Sequence, residues 1–347
     1  MEKEILGTNK KPALYNVFIS TIFGLIGGII GSVIFLYFRI VINPGDFYYI
    51  LPLAIILSLI HPRFMCFSYA GGIISLISLI FKWPQINVAE IMFVVGVLHL
   101  VESFLILVDG INSKIPIFME REREIVGGFT MNRFWPVPFN IFIHSGHIYP
   151  ITIMAILGYS DFALSNYPKR KATESAIILS LFSIILLFLS WLSTDYQIFK
   201  YVAAFFAPLA HETIIHIGRR KEDKGNYIFA STEHGLKVLD VLPESIGEKI
   251  SLNPGDIILS LNGHRVYSKR DIDYVLRFRP SYIWLDIYNK TRGVVFKEYR
   301  DYEKGIGSLG VVVVSNTPEH VLIVEESKPP IRRLLERFMR KKSSFKN

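Results

Sequence analysis

GLKVLDVLPESIGEKISLNPGDIILSLNGHRVYSKRDIDYVLR, residues 235 to 277, decides how the rest of the chain is read. Its apolar residues come in short runs separated by turn formers, which is the period of strands rather than of a helix. Gly235 opens a strand that ends at the turn Leu242-Pro243-Glu244-Ser245, and a short helix follows to Leu252, which closes the core. Pro254-Gly255-Asp256-Ile257 enters the next strand, with Gly255 permitting the turn and Asp256 able to cap nearby amides. Asn262-Gly263 fits a two-residue hairpin turn, whose central positions need positive φ. At Ser268 the pattern becomes helical as far as Phe278, with Ser268 as N-cap and Asp271 at the third helical position. Further short runs flank this core: YIFAS before it, and YIWLDIY, VVFKEY and LGVVVV after it. Residues 225–315 therefore read as a small α+β domain.

Upstream the composition changes. The 347 residues are 51% hydrophobic and 14% aromatic, with a mean hydropathy of +0.36, too apolar for an ordinary soluble chain of this length. Residues 1–218 are expected to form an α-helical polytopic membrane domain. The single cysteine, Cys66, lies in an apolar segment, so no intramolecular disulfide can form. Much of the +8 formal charge falls after residue 218, which suits a domain facing an anionic cytoplasmic leaflet; the bilayer is a partner and no nucleic acid is expected.

Apolar runs cover Val17–Ile42, Tyr48–Ile60, Phe64–Phe81, Val88–Val108, Val137–Tyr159, Ala176–Leu192 and Ile198–Ile217. Basic residues cluster at Lys10 and Lys11, between Lys114 and Arg133, at Lys169 to Lys171 and from Arg219 onward. Placing all of these on the cytoplasmic side, with both termini, requires about six crossings. Val137–Tyr159 is then the segment that does not cross: Pro138, Asn140, His144, Ser145, Gly146, His147 and Pro150 interrupt it, and it reads as re-entrant, interfacial or a shallow hairpin. In an alternative arrangement it crosses and Ile198–Ile217 does not. The cytoplasmic loop 112–136 carries a Gly127-Gly128 turn and an aromatic-basic cluster, Arg133, Phe134 and Trp135, suited to an interfacial anchor or a partner-docking surface. Gly24 and Gly28 have the four-residue spacing that lets another helix approach closely, a packing signal compatible with a homodimer. Residues 329–347 form a basic amphipathic tail.

HETIIH, residues 211 to 216, raises the question of a metalloprotease helix. Such a helix needs histidines at i and i+4, whereas His211 and His216 are five apart and thus rotated about 140° from one another. Zinc proteolysis is therefore disfavoured, no catalytic residue, metal or cofactor is assigned, and His211, Glu212 and His216 are read as polar residues near a cytoplasmic helix end. His99 and Glu102 share a helix face at membrane depth, within reach of His144 or His147 if the interrupted segment packs against them, as a structural polar contact, a proton relay or a metal site.

Residues 235 to 277, with their Leu242-Pro243-Glu244-Ser245, Pro254-Gly255-Asp256-Ile257 and Leu261-Asn262-Gly263 elements, resemble a bacterial PDZ domain. That resemblance implies capture of an extended peptide beside a sheet edge, with a terminal carboxylate held by a Gly-containing loop. Gly307-Ser308-Leu309-Gly310-Val311 matches the family's loop in a permuted position; the residues preceding Gly235 are the alternative, and Gly310 as the start of a core strand is a third reading. The spans, NRFWPVP at 132–138, Phe206-Ala207-Pro208 before a basic linker, and a domain closing on LGVVVV together resemble the MinJ type of division-site protein of Gram-positive bacteria. The resemblance implies a non-enzymatic multi-pass scaffold, enriched at septum and poles, that connects MinD-like and DivIVA-like division proteins. An intramembrane metalloprotease of site-2 type, or a subunit presenting substrates to a protease, is the alternative.

Overall fold

The computed structural model describes residues 12–121, 124–145 and 147–315; the expected tail at 329–347 lies outside the described residues. The chain begins with α1 (Ala13–Tyr37), the two-residue strand β1 (Val41–Ile42) and α2 (Pro44–Ile60), whose N-cap Asn43 accepts a hydrogen bond from Gly45 N. A 3₁₀ turn at Pro62–Met65 leads to α3 (Phe67–Phe81) and then α4 (Val88–Asp109). Three strands follow, β2 (Lys114–Arg121), β3 (Glu124–Ser145) and β4 (His147–Ala163), before α5 (Pro168–Asp195) and α6 (Gln197–Lys224). The C-terminal unit is β5 (Phe229–Ala230), β6 (Leu236–Val241), α7 (Ile246–Lys249), β7 (Ile257–Leu261), β8 (His264–Arg265), α8 (Lys269–Leu276), β9 (Tyr282–Asn289), β10 (Gly293–Arg300) and β11 (Val311–Val314).

Among the described residues, α1, α4, α5 and α6 are long and apolar enough to cross a bilayer. The other two apolar helices, α2 and α3, have 17 and 15 residues. At 1.5 Å per residue they reach about 25 and 22 Å, short of a hydrocarbon core of about 30 Å. In place of about six full spans there are thus four long helices and a pair of shorter ones.

The first 218 residues are not purely helical. The interrupted apolar segment and the loop before it form one long β-hairpin, β3–β4, paired from Phe129↔Ala163 to Ser145↔His147. Its side chains alternate as a half-buried strand requires: Arg133, Trp135, Val137, Phe139, Ile141 and Ile143 are buried against the helices, while Phe134, Asn140 and His144 face outward. The expected Gly127-Gly128 turn is a correction. Arg121 already pairs with Glu124, and both glycines lie inside β3, opposite Phe118 and Ile117. The absence of side chains there lets neighbours in: a Cβ on Gly127 would press on Val314 and Leu239, and one on Gly128 on Leu164.

The outer edge of β3 explains the two prolines and the two glycines together. Backbone groups of alternate residues point to this edge, so Pro136 and Pro138 remove two donors that no strand would satisfy. Helix α1 runs parallel to β3 and seals it. Two strand residues advance about 6.6 Å and four helix residues about 6.0 Å, so Gly24, Gly28 and Ser32 keep step with Pro136, Pro138 and Asn140. A methyl at Gly24 or Gly28 would overlap the carbonyl oxygen of Pro136 or Pro138 respectively. The next N–H in the row, that of Asn140, donates to Ser32 Oγ at 2.8 Å. The small-residue face of α1 is thus occupied by the chain's own hairpin.

Arg133 and Trp135 also need correction as headgroup anchors. Both are buried, at 3% and 0% exposure, around the equally buried Asp109 at the end of α4. Arg133 Nε and Trp135 Nε1 donate to Asp109 Oδ2 at 2.8 and 2.7 Å, Arg133 Nη2 reaches the same oxygen, and Asn112 Nδ2 donates to Oδ1 at 2.7 Å. Only Phe134 of the three is exposed. A buried guanidinium requires such a partner, and the end of α4 supplies it.

At the same end of the bundle, Lys171 lies 3.2 Å from Asp161 Oδ2 and 3.4 Å from Gly218 O. Buried Glu222 accepts from the amides of Leu164 and Ser165, both at 2.8 Å, and from Asn166 Nδ2 at 2.9 Å. Strand β5 then pairs with β3 at Val126 and Gly127. The basic stretches at 114–133, 169–171 and after 218 therefore converge on one end of the molecule.

Candidate functional site

The C-terminal unit is a sheet ordered β10-β9-β7-β6-β11, with β8 on β7. Leu236, Val238, Leu252, Ile258, Leu285, Ile306, Leu309 and Val313 fill its core together with Ile272 and Leu276 of α8. Gly255 has φ +98. Asp256 accepts from Asn253 N at 2.9 Å and from Asn289 Nδ2 at 2.7 Å. Asn262 and Gly263, at φ +51 and +79, make the β7–β8 turn. Pro254 is part-buried just ahead of Gly255, and a Cβ on Gly235 would meet Ile258 O.

Gly307 and Ser308 are exposed, whereas Leu309 is buried. Leu309 O accepts from Gly247 N at 2.7 Å and Gly310 O from Leu242 N at 2.9 Å, which fastens this loop to the turn before α7. Gly310 N donates to Ser308 Oγ at 3.1 Å. Gly310 has φ +64 and sits against Ser245, so any side chain there would be strained on both counts. Val311 then begins β11, which pairs with β6 on one side only among the described residues.

Alternate residues of β11 serve two cores. Val313 packs into the C-terminal unit, while Val312 and Val314, with Leu239, meet Phe118, Phe129 and Phe229 of the mid-chain sheet. Lys114 lies 3.6 Å from Asp240 across the same seam. The C-terminal sheet is therefore seated on the end of the bundle where the basic stretches collect.

Helix α8 opens with a full capping box between Ser268 and Asp271. The amide of Tyr267, with that of Ser268, holds the Asp271 carboxyl below the usual carboxylate range. A depressed folded value means stability that is present above the unfolded pKa, about 3.9, and lost as pH falls through the lower folded value. We expect Asp271→Asn to melt below wild type at neutral pH, with the gap closing as acid protonates Asp271. A melting difference that does not vary with pH would contradict this origin.

The intramembrane polar residues group differently from the sequence expectation. His211 is in the middle of α6 rather than near its end, and His216 is exposed on the same helix. His144 lies toward the tip of the β-hairpin, lining a hollow with Asp46 and Glu90, away from His99. Instead, Cys66 Sγ is 3.1 Å from His99 Nε2 and 3.8 Å from His211 Nε2. Glu212 accepts from Tyr69 Oη at 2.6 Å and faces Arg63 at 3.0 Å. No spacing rule links residues 66, 99 and 211; only the packing of α3, α4 and α6 brings them together.

Comparison with known proteins gives one partial likeness. No protein-family profile matches the chain. Over 126 residues it is 26% identical to the cell division topological determinant MinJ of Bacillus subtilis, a stretch covering 36% of this chain and 32% of that protein. The match thus spans about a third of either length. It supports a MinJ-like relationship over that stretch, and the apolar helices suggest a membrane protein.

Proposed function

We propose that this chain is a non-enzymatic membrane adaptor whose C-terminal unit is a PDZ-type peptide-binding domain, held at the cytoplasmic face to recruit division-site proteins. The observation that carries the reading is β11: an edge strand paired on one side only among the described residues, entered through a loop in which Gly310 holds φ +64, with α8 packed in the same core. A peptide laid along β11 would complete its backbone pairing, and the Gly307–Gly310 loop would receive a terminal carboxylate. The partial likeness to MinJ supports cell-division proteins in general as the clients; MinD-like and DivIVA-like proteins are the clients this reading proposes. The basic end of the bundle suits a cytoplasmic orientation.

The test is capture of candidate division proteins by the full chain in detergent. Gly310→Val should abolish capture while the helices remain folded, and a fluorescent fusion should gather at septa. Capture unaffected by Gly310→Val would remove the site; an even envelope distribution would remove the division-site role. The rival reading, an intramembrane metalloprotease, draws on the Cys66–His99–His211 grouping and would require cleavage of a membrane peptide that Glu212→Gln abolishes.

A further inference from the structure

We propose that Cys66, His99 and His211 form a binding site for a zinc-class metal ion inside the helix bundle. The three come from separate elements: Cys66 is the N-cap of α3, His99 lies in α4 and His211 in α6. Their ligand atoms all lie within 4.8 Å of one another. Around a tetrahedral zinc, with Zn–S about 2.3 Å and Zn–N about 2.05 Å, a sulfur and a nitrogen stand about 3.6 Å apart. The observed 3.1 and 3.8 Å bracket that separation.

The hydrogen bonds behind the ligands fix their chemistry. His99 Nδ1 is 2.7 Å from Val95 O. A carbonyl only accepts, so Nδ1 carries the proton and Nε2 presents a lone pair. His211 Nδ1 is 3.2 Å from Tyr69 Oη, and Tyr69 donates its own proton to Glu212 Oε2 at 2.6 Å. The Tyr69 oxygen therefore receives from Nδ1–H, and His211 Nε2 is a second lone pair. Both aim at one thiol in a site covered by Phe182, whose ring centroid lies 5.3 and 5.9 Å from those of the two imidazoles. A single S–H can satisfy only one of these acceptors, leaving the other without a donor where burial makes that costly. A cation that replaces the thiol proton satisfies all three donors at once. Thiolate with two imidazoles selects zinc-class ions over calcium or magnesium, and the carbonyl and Tyr69 behind the rings supply the outer support such ligands need. Glu212 is held by Tyr69 and Arg63. The site is accordingly a clasp that ties α3 and α4 to the helix leading into the C-terminal unit.

Full chain purified in detergent without chelator should contain about one zinc per chain by elemental analysis, as a three-ligand mononuclear site requires. After stripping, Co²⁺ should produce visible tetrahedral bands and a near-ultraviolet thiolate-to-cobalt absorption. Cys66→Ser, a near-isosteric change, should abolish the thiolate absorption. Tyr69→Phe, which leaves every ligand in place, should weaken Co²⁺ binding by about 10- to 100-fold. His216→Gln and His144→Gln should bind as the parent does. Cobalt bound without a thiolate band, or bound equally well by Cys66→Ser and Tyr69→Phe, would overturn the site.

Discussion

Gly28→Val is expected to prevent the hairpin from seating on α1. The new Cβ would overlap the Pro138 carbonyl oxygen, and both atoms are fixed by backbone geometry, so no rotamer change relieves the clash. Either α1 withdraws or β3 bends away, and both outcomes expose the row of edge carbonyls along with the Asn140 amide that Ser32 now receives. Each such group, buried away from water, lacks a substitute partner. The loss should exceed about 4 kcal/mol, the range reserved for overpacking combined with unsatisfied backbone. Thermal unfolding in detergent measures it, with Gly31→Ala as control: a methyl at Gly31 meets only ordinary side-chain contacts. Equal melting of the Gly28 and Gly31 variants would contradict the edge-sealing account.

Asp109→Ala should be nearly as damaging, for an electrostatic reason. Asp109 is the carboxylate facing Arg133 and also receives the Trp135 indole and the Asn112 amide. Removing it leaves a guanidinium at 3% exposure without a counter-charge, a change that costs about 3–5 kcal/mol when one member of a buried pair is deleted. Asp109→Ala with Arg133→Met should recover much of that loss, because the double variant buries no unpaired charge. Unfolding curves for the two single variants and the double form the cycle. Strict additivity would show that the pair is not coupled.

Some of this was legible in the residues and some was not. The turn formers at Gly255, Asn262 and Gly263, which hold positive φ, and the Ser268–Asp271 capping box are visible in the residues because each is a local device whose geometry is set within a few residues. The hairpin was legible only as an interruption. Pro136 and Pro138 argue against a strand unless its edge is known to be open, and that depends on α1, more than a hundred positions away. The spacing of Gly24 and Gly28 signalled a close approach without saying what approaches. Arg133 and Trp135 looked like interfacial residues by composition; their burial follows from Asp109, whose partners lie across the loop. The metal-type grouping had no sequence signature at all, since the i, i+4 rule applies within one helix and its three donors come from three.

Strand β3 has one further consequence. It runs unbroken from Gly127, beneath the seam with the C-terminal sheet, to the hairpin tip, where Phe142 and Ile143 pair with β1. Twenty-two residues at about 3.3 Å each make a rod about 70 Å long. It is clamped at one end by Val314 and Leu239 and along its middle by α1, with no hinge between. A torque applied to the C-terminal sheet by the client proposed above would therefore be delivered to the far end of the hairpin by leverage along this single length of backbone.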